Sequence, residues 1–548
     1  MKKFFISILA ILLIVGGVFF FLNSRGSSDS SNKYNQFSFI CEGDDIDKKD
    51  FDRIDGQFYL SLDFIKEKID ENVNYDKNEN VVIFANEKGT KRYTLNEKEG
   101  LFNSKKIELR DPVIEKDGKI MVPIEGFIYD YSVDFRFIKD KKLLLMDYKN
   151  IDYSIGTPSG NGVNIREKDS KSSPIVKTIN KEDKVYVYGE IGDFYKVREI
   201  DGYAGYIKKN LLNVEFPKDK FKIEKEESKK EAEKPLNLTW DYTYGPHKQE
   251  SINLITGIKG LDVIVPTWFS VSNKSGDIID RGNKEYVSKY NNLGIDVWGY
   301  LDNSFNPDIT HEVLLSSSKR EKVISKTMEL LNNYNLKGIN IDFEHTKIED
   351  RDLITQFVRE LSAQAKANGK VTSVDVTPQI TNNVEKEPYN RKELAEVCDY
   401  VIVMAYDQHW ASSEKAGSVA EYKWVESNIN MLFKSIPKEK LILGVPFYSR
   451  IWTEENGKVK SSTISMDQSN KLLNEKDLIP KWDDVSKQDY VEYTEGNKTY
   501  KIWLEDSQSI KWKVSLVNKY NLAGVGSWRK GFETQDVWET IYRIINTK

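Results

Sequence analysis

The sequence predicts an α/β protein whose C-terminal part, residues 235–548, is a barrel of eight parallel strands surrounded by helices. Two observations carry this prediction. From Pro235 onward, apolar runs of strand length alternate with amphipathic helical stretches, and eight such runs fit into about 300 residues, the size of one (β/α)8 TIM barrel. One of them, Leu336–His345 (LKGINIDFEH), alternates apolar and polar residues and places two carboxylates on one face.

Residues 1–35 are predicted to be a membrane anchor followed by a polar spacer. Phe4–Leu22 is an unbroken run of 19 apolar, Gly or Ser residues behind Lys2 and Lys3. A spanning helix needs about 20 residues, whereas a cleaved signal peptide has an apolar region of ~7–15 and a small-residue cleavage site. The bulky residues Val18–Phe21 offer no such site. We therefore expect one uncleaved transmembrane helix in the cell membrane, with everything after it extracytoplasmic.

Residues 36–150 are predicted to be a small α+β domain, because a strand, helix, strand pattern occurs in them twice. The segment FYLSLDFIKEKIDENVNYDKNENVVIFA from Phe58 is echoed by IMVPIEGFIYDYSVDFRFIKDKKLLLMDY from Ile120. This part resembles the copper amine oxidase N-terminal-like domain of bacterial surface enzymes, which carries no copper itself. A generic spacer fits the pattern equally well.

Residues 151–215 show short strands with Gly-rich turns and resemble a bacterial SH3-type domain, which is a small β-barrel. The matching pieces are Val163–Arg166, Phe194–Val197 and Gly205–Ile207. Such domains bind cell-wall peptides in some proteins and only separate domains in others. Residues 216–234 are rich in Lys and Glu and are predicted to be a charged linker.

Within residues 235–548 we place the eight strands at the apolar runs. They are Asn237–Asp241, Leu261–Pro266, Ile295–Leu301, the run from Ile339, Val371–Val376, Tyr400–Ala405, Leu441–Pro446 and Ala523–Trp528. The stretch 449–521 is too long for an ordinary connection, so we expect a small α+β insertion there.

The polar face of the fourth strand is the candidate catalytic surface. Asn340, Asp342 and Glu344 share one side of it, opposite the apolar residues. An antiparallel strand with one solvated face gives the same alternation, so this pattern by itself leaves that alternative open. In a parallel barrel, the polar row would enter the lumen and Glu344 would lie at the C-terminal mouth, where catalytic residues sit.

Three further stretches follow in order at strand ends: VMAYDQ, LGVPFYSR and GVGSW. Together with LKGINIDFEH they resemble glycoside hydrolase family 18, whose signature D-G-x-D-x-D-x-E is matched at Gly338, Asp342 and Glu344. Lys337 and Asn340 stand where the family usually has Asp. The other matches are M-x-Y-D at Met404, Tyr406 and Asp407, G-x-P-x-Y at Gly444, Pro446 and Tyr448, and the tryptophan of the sugar site at Trp528.

The resemblance implies a reaction in which the substrate's own N-acetyl group is the nucleophile. Glu344 would then be the general acid and base, Asp342 would hold the acetamido N–H, and Tyr406 would hydrogen-bond the acetamido oxygen. The residues expected to bind substrate are Asn340, Met404, Asp407, Tyr448 and Trp528. Because Asn340 can hydrogen-bond Asp342 but cannot share its charge, we expect Asp342 to titrate with weaker coupling to a neighbour.

The expected function is that of a membrane-anchored β-N-acetylglucosaminidase acting on peptidoglycan. An outward-facing enzyme with wall-type modules would meet this polymer, and the NIDFE form of the motif resembles the spore-cortex and germination subgroup of the family. Chitinase, endo-β-N-acetylglucosaminidase and a non-catalytic sugar-binding barrel remain alternatives.

Composition excludes other classes of protein. A net charge of −5 gives no reason to expect a nucleic-acid partner. Cys41 and Cys398 have no paired spacing, and the 4 His residues lack a ligand pattern such as HExxH. We therefore expect no metal and no cofactor, and a monomer.

Overall fold

The computed structural model describes residues 30–216, 234–243 and 258–546, which form two compact units. The first unit contains residues 30–73, 95–98 and 108–216, and the second contains 74–94, 99–107, 234–243 and 258–546. The predicted anchor at Phe4–Leu22 lies outside these residues, as does most of the predicted linker. Of the helices in the described part of the chain, none has the length and apolar character needed to cross a membrane.

The N-terminal part of the first unit consists of two four-stranded sheets and one short helix. The strand order is Val133–Ile138, Leu143–Tyr148, Ser38–Cys41 and Asp44–Asp45 in one sheet, and Ile114–Lys116, Lys119–Pro123, Gln57–Ser61 and Phe51–Ile54 in the other. Helix Leu62–Lys68 begins after Ser61, whose hydroxyl accepts the Phe64 N–H. In the second copy of the repeat, the 3-10 turns Ile124–Gly126 and Ile128–Asp130 take the place of this helix.

The rest of the first unit is one seven-stranded antiparallel sheet. Its strand order is Ile175–Ile179, Val163–Arg166, Ala204–Lys208, Phe194–Glu199, Val185–Ile191, Ser154–Pro158 and Leu212–Glu215. Alternate residues of these strands, such as Val163, Ile165 and Val197, form a small apolar core. All three stretches predicted to form strands here do so.

The second unit confirms the predicted barrel of eight parallel strands. They are β1 (Leu236–Asp241), β2 (Val263–Pro266), β3 (Asp296–Asp302), β4 (Gly338–Asp342), β5 (Val371–Val376), β6 (Tyr400–Met404), β7 (Leu441–Pro446) and β8 (Gly524–Trp528). Each strand pairs with its neighbours in parallel, and β8 pairs with both β7 and β1, so the sheet closes.

Helices surround this barrel and follow the strands in alternation. They are Lys284–Asn292, Pro307–Leu314, Ser317–Asn333, Arg351–Ala367, Arg391–Val397, Tyr422–Leu432, Ser507–Tyr520 and Gln535–Asn546, and a hairpin of Phe269–Val271 with Ile278–Asp280 follows β2. Apolar side chains between strands and helices form the main core. Inside the barrel, a second cluster fills the lumen, with Trp240, Trp298 and Tyr300 as its largest members.

The predicted insertion between β7 and β8 is present, but it ends earlier than expected. It is a five-stranded sheet of Tyr448–Glu455, Lys458–Ser465, Lys481–Asp483, Gln488–Glu495 and Lys498–Leu504 with one helix, Met466–Glu475. The following helix, Ser507–Tyr520, packs against β7 and β8 and so belongs to the barrel. Its apolar face, which includes Ile510, Val514 and Val517, gives the same sequence pattern in either role.

A second five-stranded sheet, from the N-terminal half of the sequence, also belongs to the second unit. Its strands are Asn74–Asp76, Val81–Asn86, Gly89–Thr94, Glu99–Phe102 and Lys105–Glu108, and it packs against helix Arg351–Ala367. The fully buried Glu360 of that helix forms ion pairs with Arg92 of the sheet and with Arg320. Burial alone would raise the pKa of Glu360, but Arg92 and Arg320 hold it below its usual range.

This buried ion pair predicts a large loss of stability when Arg92 is removed. We expect Arg92→Leu to lower the free energy of unfolding by about 3–5 kcal/mol, because Glu360 remains buried with one partner fewer. Arg110 is exposed and pairs with its neighbour Asp111, so Arg110→Leu should cost no more than about 1 kcal/mol. Urea unfolding at pH 7, followed by tryptophan fluorescence, measures both. Equal effects of the two substitutions would contradict the structural role of Arg92.

Candidate active site

The polar face of β4 points into the barrel, as the alternation predicted. Asn340 and Asp342 are buried on this face, and Ile339 and Ile341 pack in the core between strands and helices. The strand ends at Asp342, so Glu344 lies on the loop beyond it, partly exposed at the mouth.

Glu344 is held in place by Asn303, a buried residue directly after β3. The Asn303 side-chain amide donates to the Glu344 carbonyl at 2.6 Å, and its oxygen accepts the Glu344 N–H at 3.2 Å. The same amide donates to the Thr310 hydroxyl at 2.8 Å. These bonds fix the backbone of Glu344 while leaving its carboxyl group available.

Glu344 is a carboxylic acid with an unusually high proton affinity. Burial, followed by the negative charges of Asp375, Asp407 and Asp302, raises its pKa to about 7. A carboxyl group with this pKa can be protonated near neutral pH and can therefore act as a general acid there.

Asp342 has one carboxylate oxygen bound and one free. Tyr300, which lies beside Asn340 in the register of β3 and β4, donates its hydroxyl to Asp342 Oδ2 at 2.5 Å. Asp342 Oδ1 is buried and has no hydrogen-bond partner among the described residues. Burial and then Glu344 raise the pKa of Asp342 well above its usual range, partly offset by Tyr300. A buried acceptor without a donor is costly, so Oδ1 is an atom ready for a ligand N–H.

The side-chain hydrogen bonds of Asn340 run to neighbouring strands, and none of them joins it to Asp342. Its oxygen accepts the indole N–H of Trp240 at 2.9 Å, and its NH2 group donates to Ser373 Oγ at 3.0 Å and to Asp375 Oδ1 at 2.8 Å. Residues i and i+2 of a strand lie about 6.6 Å apart, whereas adjacent strands are about 4.8 Å apart, so bonds across strands are the shorter ones. Asn340 is fully buried and supports the site through these bonds, and its role in substrate binding stays a prediction.

The predicted residues after β6 and β7 lie together beside these acids. The rings of Tyr406 and Tyr448 are 6.5 Å apart, edge to face. The Tyr448 hydroxyl donates to Asp407 Oδ1 at 2.6 Å. Burial, followed by Asp375, raises the pKa of Tyr406 well above its usual range, so its hydroxyl keeps its proton and can donate.

Trp528 and Met404 complete the set of predicted residues. Trp528 ends β8 and lies 6.1 Å from the Trp240 ring, measured between centroids, and it keeps part of its surface exposed. Met404, the last residue of β6, is buried.

Sequence reasoning missed four polar residues of this site: Tyr300, Asp302, Asn303 and Asp375. Tyr300 and Asp302 are two residues apart on β3, and Ser373 and Asp375 are two residues apart on β5. Each pair therefore lies on one face of its strand, the face that points into the lumen. Polar residues at alternate positions of otherwise apolar strands were the available signal. Among the described residues, a separate group of His311, Glu349 and Asp350 has the spacing of metal ligands, but it includes none of the predicted catalytic residues.

Comparison with known proteins matches three parts of the chain to families. The sequence profile "Glycosyl hydrolases family 18" matches residues 303–532, "Bacterial SH3 domain" matches 161–213, and "Copper amine oxidase N-terminal domain" matches 47–137. Uncharacterized glycosylase YvbX of Bacillus subtilis (strain 168) is 26% identical over 319 residues, which are 56% of this chain and 91% of that protein.

Two further relatives are enzymes of the spore cortex by name. The Cortical fragment-lytic enzyme of Bacillus subtilis (strain 168) is 22% identical over 241 residues, or 43% of this chain, and the match spans 56% of that enzyme's length. The crystal structure of the Bacillus megaterium QM B1551 spore cortex-lytic enzyme SleL superimposes with a TM-score of 0.52 at 19% identity, over 57% of this chain and 74% of that one. At this identity the superposition shows a common fold.

The barrel, with a protonatable glutamate at its mouth and a buried aspartate beneath it, matches the model of family 18 glycosyl hydrolases over residues 303–532. It follows regions that match the copper amine oxidase N-terminal and bacterial SH3 families. The proteins that this chain resembles include bacterial glycosylases and spore cortex-lytic enzymes.

Proposed function

We propose that this protein is a β-N-acetylglucosaminidase that cleaves the β-1,4 bond after N-acetylglucosamine in peptidoglycan, with retention of configuration. The observation that carries the proposal is the pair formed by Glu344, whose pKa is about 7, and the unpartnered Oδ1 of Asp342. An acid on the loop and a buried acceptor at the end of the preceding strand suit a substrate that brings its own nucleophile and an N–H group.

In the first step, Glu344 donates its proton to the glycosidic oxygen as the bond from that oxygen to the anomeric carbon breaks. The acetamido carbonyl oxygen attacks the anomeric carbon and forms an oxazolinium ion, while Asp342 Oδ1 accepts the acetamido N–H. In the second step, ionised Glu344 takes a proton from water, the water oxygen attacks the anomeric carbon, and the acetamido group is restored.

The remaining residues bind and orient the sugar in this proposal. The Tyr406 hydroxyl donates to the acetamido oxygen, and Trp528 stacks beneath the sugar ring. Asp407 contacts sugar hydroxyls, held by Tyr448, and Met404 lines the site.

The proposal predicts a specific pH dependence. Glu344 must be protonated in the free enzyme, so kcat/KM should fall as the pH rises above about 7, the pKa to which burial and Asp375 raise this group. Initial rates on a soluble N-acetylglucosamine oligomer, from about pH 4, near the usual glutamate pKa, to about pH 9, measure this limb. A rate that stays constant up to pH 9 would contradict the assignment of Glu344 as the acid.

Mass spectrometry of reduced products tests the substrate and the bond. Purified peptidoglycan and chitin oligomers are digested with the protein, reduced with borohydride and analysed, with Glu344→Gln as the control for contaminating activity. We expect reduced N-acetylglucosamine ends on peptidoglycan fragments. Reduced muramic acid ends would overturn the proposal, and cleavage of chitin alone would favour the chitinase alternative.

We further propose that the protein is anchored in the cell membrane by Phe4–Leu22, with the catalytic barrel outside. The apolar run behind Lys2 and Lys3 supports this proposal. Membrane fractionation followed by N-terminal sequencing tests it. A membrane-bound protein that retains its original N-terminus is expected, and a soluble mature protein that starts after residue 23 would overturn the anchor.

A further inference from the structure

A carboxylate from the neighbouring strand stands close to the position where the family motif usually has its middle acid. Asn340 occupies that motif position, and its NH2 group donates to Asp375 Oδ1 at 2.8 Å. Asp375 lies on β5 and is buried, with 1% of its surface exposed.

The orientation of the Asn340 amide is fixed by its partners. The indole N–H of Trp240 can only donate, so the atom that faces it must be the Asn340 oxygen. The NH2 group is thereby directed toward Ser373 and Asp375. A carboxylate at position 340 would instead face Asp375 with a second negative charge at hydrogen-bond distance, which is strongly unfavourable. The Asn at 340 and the Asp at 375 therefore complement each other.

The strand register brings Asp375 beside Asp342. The pairs Asn340 with Ser373 and Ile341 with Val374 continue to Asp342 with Asp375, on the same face of the sheet. Adjacent strands are about 4.8 Å apart, which is closer than two alternate residues of a single strand.

We propose that Asp375 is a positioning residue of the active site, which supplies from β5 the carboxylate that Asn340 lacks and is held beside Asp342 by the Asn340 amide. The inference rests on the proposed function. It assigns the carboxyl group beside Asp342 to Asp375, a residue outside the family motif. Buried carboxyl groups this close together cannot all ionise freely, so Asp342, Glu344 and Asp375 titrate as a coupled set. After burial, Asp375 is the first of the groups that raise the pKa of Glu344, and Asp342, after burial, raises that of Asp375. Asp375 thus helps to keep the acid protonated at neutral pH, although it does not touch substrate.

The first test is Asp375→Asn, which keeps the size of the side chain and an oxygen that can accept from Asn340. Removing one ionisable carboxyl from the coupled set should lower the pKa of Glu344, so the alkaline limb of the kcat profile should move to lower pH by about one unit, with about a tenfold loss of rate above pH 7. Ser373→Ala is the matched control, because it removes the uncharged partner of the same amide. Ser373→Ala should leave the pH of the alkaline limb unchanged.

The second test exchanges the two side chains. Asn340→Asp alone places two carboxylates against each other and should be more damaging than Asp375→Asn. The double variant Asn340→Asp with Asp375→Asn restores one acid and one amide in hydrogen-bonding positions. It should recover at least about tenfold in kcat over Asn340→Asp and return the limb toward that of the wild type. Thermal melting of each variant shows that the barrel is folded.

The inference would be overturned if the alkaline limb of Asp375→Asn lay at the same pH as that of the wild type. It would also be overturned if the kcat of the double variant were no higher than that of Asn340→Asp. A direct titration distinguishes this failure from a failure of the proposed function. If the wild type hydrolyses neither peptidoglycan nor chitin, the pKa of Glu344 is still measured by carbon NMR of protein labelled at the glutamate side chains. A lower pKa in Asp375→Asn supports the role of Asp375, and an unchanged pKa refutes it.

Discussion

Glu344→Gln is expected to lower kcat by at least about 10²- to 10⁴-fold while the barrel remains folded and still binds sugar. General acid–base catalysis contributes this much to a single step, and here one carboxyl group serves both steps of the reaction. Glutamine keeps the shape of the side chain, and Asn303 holds only the backbone of residue 344. Steady-state rates and sugar binding, measured by calorimetry on the same preparation, separate loss of chemistry from loss of substrate affinity.

Glu349→Gln is the matched control for this substitution. Glu349 is an exposed glutamate just beyond the same loop, in the turn Ile348–Asp350. Its substitution should leave kcat within a few-fold of the wild type. Activity of Glu344→Gln within the same few-fold range would rule out Glu344 as the acid.

Glu344→Gln should also raise the stability of the protein at neutral pH. The pKa of Glu344 is about 7 in the folded protein, above its value of 4.5 when unperturbed. Between these values the folded state binds more protons than the unfolded state, so the free energy of unfolding falls as the pH rises through this window. Glutamine has no proton to lose, and the variant should melt at a higher temperature than the wild type at pH 7 but not at pH 4. An active site that is costly to fold is consistent with a functional constraint on this residue.

The barrel and the place of the two carboxylates at the end of its fourth strand could be predicted from the sequence, because both depend on local patterns. Two of the eight strands, Val371–Val376 and Leu441–Pro446, have the predicted bounds. Asp342 and Glu344 follow from the alternation of a single strand. The end of the insertion was not predictable in this way, because a helix packed on the barrel and a helix packed on the inserted sheet have the same amphipathic pattern.

The supporting residues could not be predicted, because each acts across strands. Asn303 reaches Glu344 from the end of β3, and Asp375 reaches Asn340 from β5, over sequence separations of more than 30 residues. Only the register of the barrel brings them together. For this reason the sequence predicted that Asn340 leaves Asp342 without a carboxylate partner, whereas Asp375 lies on the next strand.

The largest effect is expected when the acetyl group of the substrate is removed. If the acetamido oxygen is the nucleophile, it attacks as an oriented neighbouring group, which can have an effective concentration of about 10⁵ to 10⁸ M. De-N-acetylated peptidoglycan should therefore be hydrolysed slower than the acetylated polymer by several orders of magnitude, up to about 10⁵-fold or more. Chemically re-acetylated polymer is the control, and it should recover the full rate because only the acetyl group has been returned.

A stable thiazoline analogue of the oxazolinium ion tests the same step by its strength of inhibition. Its ring nitrogen can bring a proton to Asp342 Oδ1, the buried acceptor that has no partner among the described residues. Transition-state-like compounds bind about 10²-fold or more tightly than substrates, so the thiazoline should inhibit far more strongly than N-acetylglucosamine. Asp342→Asn should abolish most of this advantage, because an amide that offers its NH2 group cannot accept the proton. Two results would show that the protein supplies the nucleophile itself: equal hydrolysis of acetylated and de-N-acetylated polymer, or a glycosyl ester trapped on Asp342. The substrate-assisted mechanism would then be wrong, even if the protein is an active glycosidase.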